Sequence, residues 1–291
     1  MTMEPPSALE PVAIREIISR ALQEDIGTGD VTSLSLVSPD TVIDAVIVAR
    51  SPCTISGNCV VAEVFRAIDD KIRYDALIPD AEQAAKNDIV AEIYGRAQPI
   101  LAGERTALNF MQRMSGIATL TRQFVEKANA YGVLILDTRK TTPTLRVFEK
   151  YAVRCGGGSN HRMSLDKMIL IKDNHRRLWK NGDSSTLNEA VNEARGRFGG
   201  LPVEVEVETV AELESALIAE PDWILLDNMT PSLMKECVRV CKGRCKLEAS
   251  GGISIDNVSE IAASGIDAVS LGCLTHSAPA ADLSLEISAN A

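Results

Sequence analysis

Residues 203–207 read Val-Glu-Val-Glu-Val, and this alternation of apolar and charged side chains decides the fold class. Successive side chains of a β-strand point to opposite faces, so the three valines face one side while Glu204 and Glu206 face the other. We expect the valines to face surrounding helices, which places both carboxylates inside a barrel. A carboxylate in that position needs a partner, because its burial is otherwise costly.

Five further short runs have the same length and alternate with helical patterns. They are VLILD (133–137), MILIK (168–172), WILLD (223–227), KLEAS (246–250) and AVSLG (268–272). Strands that alternate with helices are typical of βαβ units in a parallel sheet. Because no G-x-G-x-x-G follows the first run, the pattern favours a closed or nearly closed α/β barrel over a dinucleotide-binding sheet.

The residues before 132 follow a different pattern, that of a small α+β unit. Apolar residues at helical spacing predict a first helix that ends at Gly27. Next come three β-rich runs, at residues 42–49, 71–77 and 88–94, and one helical run at residues 59–68. Residues 104–131 predict a long helical region with a kink at Ser115-Gly116, where we place the boundary between domains 1–115 and 116–276.

The composition excludes several classes of protein. With 45% apolar and 24% charged residues among 291, it is that of a globular protein. No run approaches the roughly 20 apolar residues of a membrane span, and the N-terminal residues lack the features of a signal peptide. The odd count of seven cysteines suits reduced thiols, so we expect a cytoplasmic protein. A formal net charge of −10 argues against nucleic acid or an anionic membrane as partner.

An anionic ligand of so acidic a chain needs a local basic pocket, and cationic residues do cluster between 139 and 177. In α/β barrels the site is built at the carboxyl ends of the strands. Polar groups stand at or just after these ends: Thr138-Arg139-Lys140, Lys172, Glu206, Asp227, Ser250-Gly251-Gly252 and Gly272. Glu206, near the strand end, is interpreted as a site residue, and Glu204, deeper in the strand, as a structural ion-pair partner of a Lys or Arg.

Two glycine-containing loops are candidates for binding phosphate. Ser250-Gly251-Gly252 precedes Ser254 and a helical pattern, and so offers backbone amides and a helix N-terminus. Gly272, with the loop to His276, would supply a neighbouring half. Either loop alone could be only a turn, but two adjacent loops favour the phosphate interpretation.

The segments DTRKTTP (137–143) and GGGSNHR (156–162) combine a strand end, glycines and several cations. Such a set could bind two carboxylates by charge-assisted hydrogen bonds. Lys172 and His175 follow, and His175 either orients Lys172 or caps a loop.

At these residues the sequence resembles the family of quinolinate phosphoribosyltransferase, also called nicotinate-nucleotide pyrophosphorylase (carboxylating), which makes NAD precursors from quinolinate. The matching runs are LQEDIGTGDVTS (22–33), GERTALNFMQRMSGIAT (103–119), LDTRKTTPTLR (136–146), GGGSNHRMSLDKMILIKDNH (156–175), VEVEVET (203–209), ILLDNM (224–229), EASGGI (248–253) and SLGCLTHSAPAADLSLEI (270–287). The resemblance covers nearly the whole chain.

The resemblance implies a fold, an assembly and an activity. The fold would be an N-terminal α+β sandwich-type domain, an open α/β barrel of about seven strands in 116–276, and a tail, 277–291, that returns to the first domain. The assembly would be a homodimer or a hexamer built as a trimer of dimers. The activity would be transfer of a phosphoribosyl group from phosphoribosyl pyrophosphate to quinolinate with loss of carbon dioxide.

The resemblance also implies roles for individual residues. Quinolinate would be bound by Arg139, His161, Arg162 and Lys172, and by Arg105 from the neighbouring subunit. Lys140, Glu206 and Asp227 would be catalytic, with Lys140 on the pyrophosphate and the two carboxylates on the ribose hydroxyls or Mg²⁺. Phosphate would be bound by Ser250, Gly251, Gly252, Gly272 and His276.

Two other functions remain open. A phosphoribosyltransferase that uses nicotinate would need one carboxylate site, and the surplus of cations argues against it. A non-catalytic or divergent homologue could bind a phosphorylated ligand, although Lys140, Glu206 and Asp227 are all present.

Overall fold

The computed structural model describes residue 9 and residues 11–179 and 187–288. The chain forms two compact units. The first unit contains the residues up to Arg122, Thr141–Gly157 and the residues from Cys273 onward, and the second contains Gln123–Lys140 and Gly158–Gly272.

The helices and strands follow one another in a mixed order. The helices are α1 (Pro11–Ile26), α2 (Val31–Leu36), α3 (Asn58–Ile68), α4 (Ala97–Ala128), α5 (Arg146–Cys155), α6 (Asp173–Leu178), α7 (Leu187–Arg197), α8 (Val210–Ile218), α9 (Pro231–Cys241), α10 (Val258–Ala262) and α11 (Cys273–His276). The strands are β1 (Val42–Ala49), β2 (Cys53–Thr54), β3 (Arg73–Ala76), β4 (Gln83–Ala84), β5 (Ile89–Arg96), β6 (Leu134–Leu136), β7 (Ile169–Ile171), β8 (Val203–Val207), β9 (Trp223–Asp227), β10 (Lys246–Ser250), β11 (Ala268–Ser270) and β12 (Leu283–Ile287). None of the helices described combines the length and apolarity that crossing a membrane requires.

The first unit is built on an antiparallel sheet with the strand order β12-β1-β5-β3. The C-terminal strand β12 pairs with β1, from Ala45 opposite Ile287 to Ala49 opposite Leu283. Helix α1 buries the apolar stripe that the sequence predicts, including Ile14 and Ile18. Helix α3 contacts α1 and β3, so helices and sheet share one apolar core.

Helix α5 belongs to this first unit, although its residues fall within the predicted second domain, 116–276. Its Phe148 ring packs against Phe110 of α4 with the ring centroids 5.2 Å apart. Its Tyr151 hydroxyl donates a hydrogen bond of 2.7 Å to Asp80. These contacts attach Thr141–Gly157, the segment that follows Arg139 and Lys140, to the rest of the first unit.

The predicted kink at Ser115-Gly116 is wrong, because α4 runs without a break from Ala97 to Ala128. The two small residues serve close packing instead. The Ser115 hydroxyl donates to the Ser56 carbonyl and accepts from the Ser56 amide. A Cβ atom at Gly116 would collide with the Pro279 carbonyl oxygen, so only glycine lets the C-terminal segment approach α4 so closely.

The second unit is a parallel sheet with the strand order β6-β11-β10-β9-β8-β7. All six strands lie within the runs predicted from the sequence. Among the described residues β6 and β7 form its edges, and Ser159 makes an isolated parallel bridge to Leu136. The α/β fold class, with a separate antiparallel N-terminal sheet, is confirmed, with six regular strands described where about seven were expected.

Two threonines begin the helices that follow β8 and β9. The Thr209 hydroxyl accepts a hydrogen bond from the Glu212 amide, and the Thr230 hydroxyl accepts one from the Leu233 amide. Pro231 stands at the start of α9, where its missing N–H costs no helical hydrogen bond. Each helix therefore begins three or four residues after its strand ends, and the strand ends are left in short, fixed turns.

The packing at Gly116 predicts a strong response to one added methyl group. Gly116→Ala is expected to lower the free energy of unfolding by about 1–3 kcal/mol, because the backbone of Pro279 must move. The control is Gly196→Ala in α7, where a Cβ meets no atom within 4 Å. That change should leave stability unchanged or raise it by up to about 1 kcal/mol. Urea unfolding measures the free energy of unfolding of both variants. Equal values for Gly116→Ala and Gly196→Ala would contradict this explanation of Gly116.

Candidate active site

The polar residues predicted at the strand ends lie along one edge of the parallel sheet. Asp227 stands opposite Ser250 at the ends of β9 and β10, and Val205 of β8 stands opposite Ile171, the residue before Lys172. Parallel strands end at the same edge, so the residues that follow β6 and β11 join this row. We call this row, from Asp137-Thr138-Arg139-Lys140 to Lys172, Glu206, Asp227, Ser250-Gly251-Gly252 and Gly272, the carboxyl edge.

Lys172 and Glu206 form an ion pair at the carboxyl edge, with Lys172 Nζ 2.5 Å from Glu206 Oε2. The Glu206 side chain is buried, whereas that of Lys172 is 44% exposed. His175 Nδ1 accepts a hydrogen bond of 3.0 Å from the Lys172 amide, so this histidine fixes the backbone that carries the lysine. Arg176 donates to the Glu206 carbonyl oxygen at 3.2 Å. Hydrogen bonds to the backbones of Lys172 and Glu206 thus fix both members of the pair.

Asp227 shares the electrostatic field of this pair. Burial, and then the negative charge of Glu206, raise the pKa of Asp227, while Lys172 and Lys140 act in the opposite direction. The Asn228 amide donates to Asp227 Oδ2 at 2.8 Å. The carboxylates of Glu206 and Asp227 and the ammonium groups of Lys140 and Lys172 therefore interact with one another at the carboxyl edge.

Arg139 and Arg162 form a second charged group. Burial lowers the pKa of Arg162, and the positive charge of Arg139 lowers it further. Arg162 Nη1 donates to the Met168 carbonyl oxygen at 2.8 Å, which fixes one side of the guanidinium. Two partly buried cations that repel each other are most stable with an anion between them.

His161 lies on the buried side of the second unit, against two carboxylates. Its Nε2 atom is 3.0 Å from Glu204 Oε2 and 3.6 Å from Glu248 Oε2. The inward direction predicted for Glu204 agrees with its full burial; its close partner is the His161 imidazole, and the expected arginine, Arg162, interacts with it through its charge. Sequence reasoning missed Glu248, although its central place in the KLEAS strand, between buried Leu247 and Ala249, was a signal for an inward carboxylate.

Asp137 organises the segment that carries these residues. It is fully buried at the end of β6, where its carboxylate accepts hydrogen bonds of 2.5 Å from the Asn160 amide group and 3.0 Å from the His161 backbone amide. The run GGGSNHR is therefore attached to the neighbouring strand end. Asp137 lies two residues before Arg139, and it binds Asn160 and His161, the two residues before Arg162. It therefore brings Arg139 and Arg162 close together.

The Ser250-Gly251-Gly252 loop has the backbone geometry predicted for it. Gly251 and Gly252 have φ angles of 89° and 63°, and a Cβ atom at Gly251 would collide with Asn228. A cavity of about 260 Å³ adjoins both glycines. The helical pattern that follows Ser254 begins with a turn in which the Ser254 carbonyl accepts from the Val258 amide, and α10 then runs from Val258 to Ala262.

The remaining predicted residues are divided between the units. Lys140 is exposed in the second unit, and its amide donates to Thr138 Oγ1 at 3.0 Å. Gly272 follows β11 in the same unit. Arg105, exposed on α4, and His276, exposed in α11, belong to the first unit. His276 Nδ1 lies 2.6 Å from the Ser277 hydroxyl.

A parallel α/β sheet whose carboxyl edge holds clustered cations, paired carboxylates and glycine turns defines an enzyme that acts on phosphorylated, anionic substrates. Family models described as the N-terminal and C-terminal domains of quinolinate phosphoribosyl transferase match residues 30–115 and 117–286. The chain belongs to the quinolinate phosphoribosyltransferase family, as the sequence resemblance indicated.

Individual relatives agree with this membership over most of their length. A probable carboxylating nicotinate-nucleotide pyrophosphorylase of Bacillus subtilis is 38% identical over 94% of this chain and 93% of its own. A chloroplastic carboxylating nicotinate-nucleotide pyrophosphorylase of Oryza sativa is 36% identical over 97% of this chain and 80% of its own. The structure of the nicotinate-nucleotide pyrophosphorylase of Francisella tularensis has a TM-score of 0.91 at 34% identity, and covers 99% of this chain and 100% of that one.

The buried carboxylates predict a pH dependence of stability. Burial, and then the charge of Glu204, raise the pKa of Glu248 from 4.5 to about 7. Because the folded-state pKa is the higher one, the contribution of Glu248 to stability is fully present below pH 4.5 and is lost as the pH rises through about 7. Glu248→Gln removes this titration, so its unfolding free energy should fall less than that of the unaltered protein between pH 5 and pH 8.

The control for this measurement is Glu260→Gln, which changes an exposed carboxylate in the same unit. Its unfolding free energy should follow the pH in parallel with the unaltered protein. Urea unfolding at several pH values compares the three proteins. A Glu248→Gln protein with the same pH slope as the control would show that Glu248 does not titrate in this range.

Proposed function

We propose that this chain transfers a phosphoribosyl group from phosphoribosyl pyrophosphate to the nitrogen of quinolinate, and that the product loses carbon dioxide to give nicotinate mononucleotide. The observation that carries this proposal is the separation of charge along the carboxyl edge. Arg139 and Arg162 bring two guanidinium groups together, which suits a small dicarboxylate. Glu206 and Asp227, with Lys140 and Lys172, form a mixed group suited to a sugar that becomes positive beside a leaving pyrophosphate.

Quinolinate would be held by the cations of the second unit. Arg139 and Arg162 offer planar forks that match carboxylate geometry, and Lys172 offers a compact charge nearby. Each charge-assisted hydrogen bond contributes about 1.5–3 kcal/mol, so two carboxylates can offset the mutual repulsion of the two guanidinium groups. The Met168 carbonyl already fixes one edge of Arg162, which leaves the rest of its fork for a ligand.

Phosphoribosyl pyrophosphate would lie between Lys140 and the glycine turns. Lys140 is exposed at the end of β6, where it can follow the pyrophosphate as it leaves. Gly251 and Gly252 line a cavity and can present backbone amides to the other phosphate, and Ser250 and Gly272 would add to this site. The family resemblance also assigns His276 to phosphate.

The carboxylates Glu206 and Asp227 fit a magnesium ion. They are oxygen ligands close enough for the charge of Glu206 to raise the pKa of Asp227, and a divalent cation between them would remove that repulsion. When bound, the ion would neutralise charge that develops on the pyrophosphate oxygens. The ribose hydroxyls can donate hydrogen bonds to the same two carboxylates.

The reaction needs no covalent intermediate with the protein. The quinolinate nitrogen attacks C1 of the ribose as pyrophosphate leaves, through a ribose with oxocarbenium character, and Glu206 and Asp227 lie beside this positive charge. The pyridinium that forms withdraws electrons from the bond between C2 and its carboxylate. That bond breaks with release of carbon dioxide, its electron pair stays on C2, and C2 takes up a proton from solvent to give the product. Fixing both substrates in contact lowers the barrier by avoiding the loss of their freedom at the reacting step.

The chain is proposed to work in the cytoplasm as a homodimer or a hexamer built from dimers. Arg105 supports this proposal because it is exposed on α4, where it could reach the quinolinate of a neighbouring subunit. The field of a protein with a net charge of −10 favours small anions in local pockets over nucleic acid or anionic membranes as partners.

A product assay tests the proposed reaction. Purified protein is mixed with phosphoribosyl pyrophosphate, Mg²⁺ and quinolinate labelled in its 2-carboxylate. We expect labelled carbon dioxide and nicotinate mononucleotide in equal amounts, and little product when nicotinate replaces quinolinate. Turnover of nicotinate alone would replace this proposal with a nicotinate-specific enzyme, and binding of both ligands without product would indicate a non-catalytic homologue.

The two charged groups predict different kinetic defects. Arg162→Ala should raise the KM for quinolinate roughly 10- to 100-fold, because charge-assisted contacts are lost. Glu206→Gln should instead lower kcat by about 100-fold, because it acts on charge that develops in the transition state. The control is Arg197→Ala, an exposed arginine paired with Glu193 on α7, which should change neither constant. An unchanged KM in Arg162→Ala would contradict its assignment to quinolinate.

A further inference from the structure

Arg113 of α4 and Glu149 of α5 form an ion pair within the first unit, with Arg113 Nη2 2.8 Å from Glu149 Oε1. The Glu149 side chain is only 1% exposed. Glu149 also accepts two hydrogen bonds from Thr142, one of 3.0 Å from the backbone amide and one of 2.8 Å from the hydroxyl. One buried carboxylate therefore connects an arginine of α4 with the second residue after Lys140.

Arg113 also contacts the segment that follows Gly272. Its guanidinium donates to the backbone carbonyl oxygens of Thr275 and Ala278, the second at 3.3 Å. Thr275 lies in α11, directly before His276. The guanidinium that binds the carboxylate of α5 therefore also holds the backbone on both sides of this histidine.

Helix α4 is a firm support for these contacts. Gln112, the residue before Arg113, donates to the Leu283 carbonyl oxygen at 2.7 Å, and its own carbonyl accepts from the Ala281 amide at 2.9 Å. One turn later, the backbone of the same C-terminal segment packs directly on Gly116. Arg113 thus acts from a part of α4 that is itself attached to the C-terminal segment at several points.

The two segments held by the ion pair each follow a residue that is assigned to phosphoribosyl pyrophosphate. The proposed function places Lys140 on the pyrophosphate and Gly272 on the other phosphate, to which the family resemblance adds His276. Strands β6 and β11, which end shortly before Lys140 and Gly272, are neighbours in the parallel sheet. The pair of Arg113 and Glu149 therefore links the two parts of the chain that leave adjacent strand ends.

Stability alone does not explain a buried ion pair of this kind. Taking the charges out of water costs about as much as their attraction returns, and apolar side chains of similar volume often give a more stable protein. Charged groups instead provide direction, because a planar guanidinium and a carboxylate form hydrogen bonds along fixed lines. Arg113 and Glu149 fix two backbone segments relative to each other in a way that apolar packing does not.

We infer that Arg113 and Glu149 are positioning residues for phosphoribosyl pyrophosphate, which act through the segments that follow Lys140 and Gly272. This inference rests on the proposed function, which assigns Lys140 and Gly272 to the phosphates. Rigid support lowers the cost of ordering a long lysine side chain and a loop backbone on binding. Loss of the ion pair therefore weakens the binding of phosphoribosyl pyrophosphate without removing a contact to it.

The binding of quinolinate depends much less on this ion pair. Its proposed ligands Arg139 and Arg162 are brought together by Asp137, whose hydrogen bonds lie within the second unit. A change in the Arg113–Glu149 pair should therefore affect one substrate and spare the other. A merely structural role would not distinguish between the two substrates.

Glu149→Gln tests this difference, because it keeps the shape of the side chain but replaces one acceptor oxygen with a donor. We expect the KM for phosphoribosyl pyrophosphate to rise about tenfold and the KM for quinolinate to rise less than about twofold. Each KM is measured with the other substrate at saturation. Equal increases in both KM values, or an unchanged KM for phosphoribosyl pyrophosphate, would overturn the inference.

Asp69→Asn is the matched control, since Asp69 is a buried carboxylate of the same unit. It accepts hydrogen bonds of 2.9 and 2.7 Å from Arg96, and neither residue lies in the segments that follow Lys140 and Gly272. Asp69→Asn should lower the free energy of unfolding, as Glu149→Gln does, and leave both KM values unchanged. A selective rise in the KM for phosphoribosyl pyrophosphate in this control would overturn the inference.

Arg113→Lys is the second variant, because it keeps a positive charge beside Glu149 and so protects the fold better than Glu149→Gln. A single ammonium group cannot replace the fork that reaches the carboxylate and the carbonyl oxygens of Thr275 and Ala278. We expect the same selective rise in the KM for phosphoribosyl pyrophosphate. If Glu149→Gln does not fold, Arg113→Lys decides the question by the same criteria.

Hydrogen exchange followed by mass spectrometry separates this inference from the proposed function, because it needs no turnover. In Arg113→Lys the amides of residues 142–145 and 273–279 should both exchange faster than in the unaltered protein, and faster exchange in one segment alone would overturn the link between them. Failure of the unaltered protein to release carbon dioxide from quinolinate would refute the proposed function, whatever the exchange shows. If carbon dioxide is released and both KM values rise alike, the proposed function stands and only the positioning role is wrong.

Discussion

The structure depends on one constraint: parallel strands end at a common edge, so the side chains at those ends are brought together whatever their charge. Here that constraint places Glu206 near Asp227, and the hydrogen bonds of Asp137 to Asn160 and His161 bring Arg162 near Arg139. Neither combination is favourable by itself, since like charges in a partly buried region repel. Each of these pairs becomes favourable when a ligand of opposite charge binds. The repulsion that destabilises the unliganded carboxyl edge would therefore give it affinity and selectivity for such ligands.

A second layer of polar residues keeps this edge in place. Asp137 accepts from the amides of Asn160 and His161, His175 accepts from the amide of Lys172, and Arg176 donates to the carbonyl of Glu206. These bonds act on the backbone, so they fix the points from which the charged side chains of the carboxyl edge extend. Rigid support of this kind lowers the cost of ordering long side chains on binding.

Much of this could be predicted from the sequence, because strict periodicity reports directly on local structure. The run at 203–207 gave the strand, the inward direction of its two glutamates and the edge that Glu206 occupies. Features that depend on distant residues could not be predicted in this way. Gly116 resembles a kink but is explained by Pro279, and the partner of Glu204 is a histidine 43 residues away in sequence.

A crystal structure of the protein with bound quinolinate would test the central claim most directly. We expect one carboxylate of the ligand in contact with Arg139 and Arg162, the other near Lys172, and the ring nitrogen facing the side of Glu206 and Asp227. Quinolinate bound away from the carboxyl edge, or Arg139, Lys172, Glu206 and Asp227 facing separate cavities around it, would contradict the account.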